Sequence, residues 1–160
     1  MSRAPFKTLF LCTGNQARSL FAEYFLRKHS DLFEAYSAGL SPQTSPNPIA
    51  LEILAENFQI DASDARSKSW EEFRDVHFDF VITLCDDAQE TCPTWPGQPI
   101  IAHWSSPDPS TTEGDAETIR HTFWIVAEQI RRRVDLLASL PFGKLDALRL
   151  EAETHAIGSQ

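Results

Sequence analysis

The stretch TLFLCTGNQARSLFAEYF, Thr8 to Phe25, constrains this chain more than any other. A short apolar run with no helical period ends at Cys12. A helical pattern then begins at Ser19, with apolar residues at 20, 21, 24, 25 and 26. A buried strand, a tight loop and a helix must therefore follow one another within eighteen residues. A strand that is apolar on successive residues needs cover on both faces, as in a parallel sheet.

The rest of the chain repeats the alternation. Strands are predicted at Lys7–Leu11, Glu34–Ala38, Phe78–Leu84 and Pro99–Trp104. Helices are predicted from Ser19 to His29, from Ile49 to Phe58, and from about Ala116 to Leu140, with a short one over Ser69–Asp75 capped by Ser69. SPQTSPNP, with three prolines in eight residues, is a loop. The order β-α-β-α-(α)-β-β-α implies an α/β three-layer sandwich around a four-stranded parallel sheet. Its boundaries are a single domain over 1–142 and a tail over 143–160, partly helical (one or two turns) or disordered. Ligands in such folds sit at the carboxyl ends of the strands. Cys12, Cys85 and Asp108 all fall on that edge.

Charge narrows the function. The formal net charge is −9, which disfavours nucleic acid, because phosphate-backbone binding needs clustered cations. The one basic cluster, Arg131–Arg133, reads as a solvated helix face. No apolar run approaches a membrane span, and the N-terminus lacks a convincing leader cleavage site, so the expectation is a cytoplasmic protein without membrane contact. Oligomeric state is not fixed by the sequence, and a monomer is the default. Three cysteines in such a chain favour reactive over structural roles. Cys85 and Cys92 are too far apart for a zinc knuckle, and no metal is assigned.

A loop from strand to helix turns its N–H groups inward, and the helix adds the positive end of its dipole. Cys12 to Ser19 therefore reads as a cradle for a tetrahedral oxyanion, closed by the planar fork of Arg18. The same field favours the thiolate of Cys12. Gly14 permits backbone conformations closed to larger residues, and Asn15 tolerates a left-handed one and can brace the loop. Gln16 and Ala17 contribute backbone, and Ser19 can donate a hydrogen bond to the sulfur. The alternative is a buried strand-end cysteine with a solvated arginine nearby.

FLCTGNQARS resembles the signature loop of the low-molecular-weight protein tyrosine phosphatases and of the arsenate reductases that share their fold. SAGLSP, NPIALEILAENFQID, SKSWEEF, FDFVITLCDDAQETCP and HWSSPDPS follow in that family's order, so the resemblance runs roughly from Lys7 to Leu140. It departs at Ala17, where many relatives carry a second cysteine. The resemblance implies that Cys12 attacks a bound arsenate, phosphate or sulfate-like oxyanion and that Asp108 is the general acid. Without it, Asp108 before Pro109 reads equally as a turn residue. Some relatives bind potassium near this loop, and Asn15, Glu23 and Ser37 are oxygen donors available for it.

The resemblance leaves two enzymes to separate. A phosphatase lets water attack phosphocysteine, whereas a reductase needs further thiols. Cys85 and Cys92, at a spacing like that of thioredoxin-coupled arsenate reductases, imply a Cys12/Cys85/Cys92 disulfide relay with a mobile 85–92 loop. Electrons would come from thioredoxin, or from a glutaredoxin with glutathione, and no cofactor is bound. Asp86, Asp87 and Glu90 count against the relay, because nearby carboxylates raise a thiol's pKa. The segment after Asp108, DPSTTEG, lacks the tyrosines common in the phosphatases. Arsenate reduction is thus the expectation, with residual phosphatase activity possible from the shared anion site. A binding module without turnover is disfavoured, since simple binding needs neither a thiolate nor an acid.

Overall fold

The computed structural model describes residues 5–85, 92–144 and 147–160. Strands β1 (Phe6–Cys12), β2 (Phe33–Gly39), β3 (Phe80–Thr83) and β4 (Ile100–His103) form one parallel sheet in the order β2-β1-β3-β4. Leu9, Phe10 and Leu11 on β1 are fully buried. Successive side chains of a strand point to opposite faces, so both faces of the central strand are covered. After β1 the chain turns to β2 on one side and then crosses to β3 on the other. The carboxyl ends of β1 and β3 therefore flank the switch point, where open sheets of this kind bind ligands.

Helix α1 (Arg18–Leu26) is buried from Ser19 onward, packed between the sheet and α3 (Ala116–Ala138). Helix α2 (Pro48–Phe58) starts where the sequence marks it. Asn47 caps it by accepting from Ile49 N–H at 2.9 Å, and Pro48 fills the first turn. Asp115 caps α3. The helix predicted to reach His29 gives way to a 3-10 turn at Arg27–His29, and Ser69 caps a 3-10 turn at Trp70–Phe73. Strand β3 is shorter than predicted, yet pairing continues past it, with Leu84 N–H on Leu11 O at 2.9 Å. No helix among the described residues is long and apolar enough to cross a membrane.

Two expectations change. The tail carries more than one or two turns. Helix α4 (Ala147–Ile157) has eleven residues and buries Leu150, Thr154 and Ile157. It sits by edge strand β4, where Trp104 Nε1 donates to Thr154 O at 3.0 Å. The arginine cluster also divides. Arg131 pairs with Glu128 and Asp135 on the surface, but Arg133 is only 4% exposed. Its spacing from Val126, Ile130 and Leu137 puts it on the buried stripe of α3, which a reading of the three arginines as one block overlooks.

Candidate oxyanion-binding site

The loop from Cys12 to Arg18 joins β1 to α1. The carbonyls of residues 12–16 turn outward. Those of Cys12, Thr13, Gly14 and Gln16 accept backbone N–H groups from Leu40, Ser41, Gln43 and Asn47, and that of Asn15 accepts the Ser67 hydroxyl at 2.7 Å. A backbone whose carbonyls face out in succession directs its N–H groups in, which makes an anion nest. Gly39 lets β2 press this close, since a side chain there would meet Thr13 O at 2.5 Å.

Asn15 is the brace. It is fully buried, at φ 50° in the left-handed region that asparagine tolerates. Its Nδ2 donates to Ser19 Oγ at 2.7 Å and Ser37 Oγ at 3.0 Å, and its Oδ1 accepts Lys68 N–H at 2.9 Å. Ser19 Oγ accepts from Asn15 and lies 3.0 Å from Cys12 Sγ, where its hydroxyl can donate to an ionised sulfur or accept from the thiol. Asn15 N–H also reaches that sulfur at 3.3 Å. Gly14 differs from expectation. It lies outside the left-handed region, and its missing side chain instead makes room for Gln43, 3.2 Å from where a Cβ would stand.

Arg18 and Asp108 close the cradle. Arg18 Nη1 donates to Ser106 O at 3.0 Å, and Nη2 stands 3.7 Å from Asp108 Oδ2. The other oxygen of Asp108 accepts the N–H and hydroxyl of Ser110 at the start of a 3-10 turn. One oxygen of Asp108 thus caps the turn while the other faces Arg18 at the pocket. Between Cys12, Thr13–Gly14, Gln16–Arg18, Gln43 and Asp108 lies a pocket of about 100 Å³, suited to a small oxyanion. A larger cavity of about 310 Å³ lies beside Phe6 and Phe80 at the opposite ends of the strands, without nucleophile or cation.

The thiols divide. Cys85 is buried and its Sγ lies 3.3 Å from Thr13 Oγ1, one residue from Cys12. Extending the Leu11–Thr83 register opposes Thr13 to Cys85, so the contact follows from strand pairing. Cys92 is partly buried. Burial pushes its thiol up, and a pull from the nearby Trp95 indole, whose buried N–H makes no hydrogen bond, offsets only part of this. Asp86, Asp87 and Glu90, expected to hold back Cys85, lie outside the described residues, as does the rest of 86–91.

The oxygens of Asn15, Ser37 and Glu23, considered above for potassium, surround an ammonium. Lys68 Nζ donates to Asn15 Oδ1 at 3.3 Å, Ser37 Oγ at 3.1 Å and Arg66 O at 3.0 Å, and stands 3.8 Å from Glu23. Burial lowers its pKa, and Glu23 opposes that shift. No cluster of His, Cys, Asp and Glu suited to a metal occurs among the described residues. Reasoning from sequence missed Lys68, Ser67 and Ser106. The signal for the first two was SKSWEEF, quoted as a motif without a role.

Comparison with known proteins adds the following. A family model described as low molecular weight phosphotyrosine protein phosphatase matches residues 7–140. An arsenate reductase from Shouchella clausii (strain KSM-K16) is 38% identical over 81% of this chain and 92% of its own. A solved structure described as an arsenate reductase in the phosphate binding state superposes with a TM-score of 0.72 at 29% identity, over 84% of this chain and 97% of that one. A thioredoxin-dependent arsenate reductase from Corynebacterium glutamicum gives a TM-score of 0.56 at 26% identity, over 85% of this chain and 65% of that one.

Proposed function

The chain belongs to the low molecular weight phosphotyrosine protein phosphatase family, and from that premise we propose that it reduces arsenate to arsenite through a disulfide relay. The observation that carries the reading is the Cys85 thiol, held 3.3 Å from Thr13 Oγ1 at the rim of the cradle. A phosphatase has no use for a second thiol there. The resemblance to curated arsenate reductases over most of the chain supports the same choice.

Arsenate binds in the nest against Arg18. The Cys12 thiolate attacks arsenic, and Asp108 donates a proton to the departing oxygen, which leaves as water. Cys85 thiolate then attacks Cys12 Sγ. The electron pair of the sulfur–arsenic bond passes to arsenic, so arsenite departs and a Cys12–Cys85 disulfide remains. Parallel strands lie about 4.8 Å apart with a rise of about 3.3 Å per residue. Extended by one residue, the register puts the two Cα atoms about 6 Å apart, within a disulfide's Cα span, but it points the two side chains to opposite faces, so the backbone beyond Leu84 must turn before the sulfurs can bond. Cys85 must first leave the Thr13 hydroxyl. Cys92 then attacks Cys85, frees Cys12, and leaves a Cys85–Cys92 disulfide for thioredoxin, the reductant of the Corynebacterium relative.

The test is arsenate turnover with thioredoxin, thioredoxin reductase and NADPH, alongside hydrolysis of para-nitrophenyl phosphate. Arsenate-dependent NADPH oxidation is expected, and it should vanish in Cys12→Ser because a serine hydroxyl is not ionised in the cradle. Ester hydrolysis without any arsenate turnover would return the protein to phosphatase chemistry.

A further inference from the structure

The guanidinium of Arg133 ties together two segments distant in sequence. Nη1 donates to Ser105 O at 2.8 Å and Ser106 Oγ at 3.2 Å. Nη2 donates to Gly158 O at 3.1 Å and Gln160 O at 3.4 Å. Nε is buried with no partner, and burial works against the charge of the group as a whole. A buried cation is costly unless its partners are well placed. The partners here are the approach to Asp108 and a segment beyond residue 140, where the family match ends.

Ser106 sits between two arginines. Its hydroxyl meets Arg133, and its carbonyl is the acceptor for Arg18 Nη1. Its N–H is fixed on Leu84 O, and Asp108 follows two residues later. Residues 158–160 are themselves seated on the same stretch. Trp104 holds Thr154 O, and Gly158 packs so near His103 that a Cβ would come within 2.3 Å of the His103 carbonyl oxygen.

We propose that residues 147–160 brace the active site, and that Arg133 is a positioning residue which transmits the brace through Ser105 and Ser106 to aim Arg18 and hold Asp108 over the loop. The inference rests on the oxyanion reading of the Cys12–Arg18 loop. The tail is then part of the catalytic apparatus, although it lies beyond the family match and none of its described residues lines the pocket.

The test uses the full chain and inorganic phosphate. Protection of Cys12 from iodoacetamide, read at the Cys12 peptide by mass spectrometry, gives the phosphate affinity. Arg133→Met removes both ties. Gly158→Ala leaves Arg133 intact and forces the tail off His103, so it serves if the first variant fails to fold. Both should weaken phosphate binding, within the roughly 2- to 30-fold expected for coupling through a packed network. Arg133→Lys, which keeps one arm, should fall between. Each variant's alkylation rate without phosphate is its own reference, so that protection is read as a ratio. Lower melting temperatures with wild-type phosphate affinity would reduce Arg133 to packing and overturn the brace. Failure of phosphate to protect even the wild type would instead overturn the oxyanion reading.

Discussion

Replacing Lys68 with methionine should destabilise the protein strongly while leaving the loop chemistry largely in place. The side chains of Lys68 and Glu23 are 9% and 5% exposed, and each holds the other in a site with little water. Removing one partner of a buried pair costs about 3–5 kcal/mol. The lower end applies, because Glu23 keeps Arg27 at 2.6 Å and the Ser37 hydroxyl. Ser37 Oγ, Asn15 Oδ1 and Arg66 O each lose a donor, but Asn15 keeps the Lys68 backbone N–H. For a chain of this size about 3 kcal/mol corresponds to a fall of about 6–12 °C in melting temperature. Calorimetry of Lys68→Met, Glu23→Gln and the double variant measures it. The double variant should lose less than the sum of the singles, since a charge left unpaired in one is absent in the other. A fall under about 2 °C, or strict additivity, would refute the argument and leave Arg27 as the sole counter-ion of Glu23.

Asp108→Asn should slow formation of the Cys12 adduct by about 10²–10⁴ while phosphate still protects Cys12, and an unchanged single-turnover rate would confine Asp108 to its turn. Cys85→Ser should lose arsenate turnover but keep any phosphatase activity, because it acts only after the adduct. Cys92→Ser should stop after one turnover as a Cys12–Cys85 disulfide, two hydrogens lighter by mass spectrometry, and three alkylatable thiols after arsenate would sink the relay. Burial pushes the Cys92 thiol up and so thins its thiolate at neutral pH. The second exchange should therefore quicken about tenfold per pH unit across the neutral range, and Trp95→Phe, which removes the downward pull of the indole, should displace that profile to higher pH; a flat profile in stopped-flow would count against it.

The parts of the site that follow from local rules were legible in the sequence. An apolar run, a loop with Gly and Asn, and a helical pattern place Cys12 and Arg18 by strand and helix geometry alone. Asn15 in the left-handed region follows from side-chain chemistry, and Cys85 from the end of a second apolar run. Residues that act across the fold were not legible. Lys68 meets Asn15 because residue 69 bridges to Gly39 beside the loop, and no spacing encodes that. Arg133 was masked by its charged neighbours, although a helical period counted from Val126 would have placed it inside. Helix α4 carries six apolar residues in eleven, and its buried Leu150, Thr154 and Ile157 fall at helical spacing, but the intervening Arg149, Glu151 and Glu153 hid that stripe.

The outer wall of the nest has a consequence for variation. It is made by N–H groups of residues 40, 41, 43 and 47, while the prolines of that stretch occupy 42, 46 and 48, where no such donor is required. Apart from the Ser67 hydroxyl on Asn15 O, the wall is thus written in main chain, and the side chains at Ser41 and Thr44 carry little of it. A saturation map of this stretch should be nearly silent at those two positions except for one substitution at residue 41. Proline there would remove the donor to Thr13 and turn a tolerant surface position into an inactivating one.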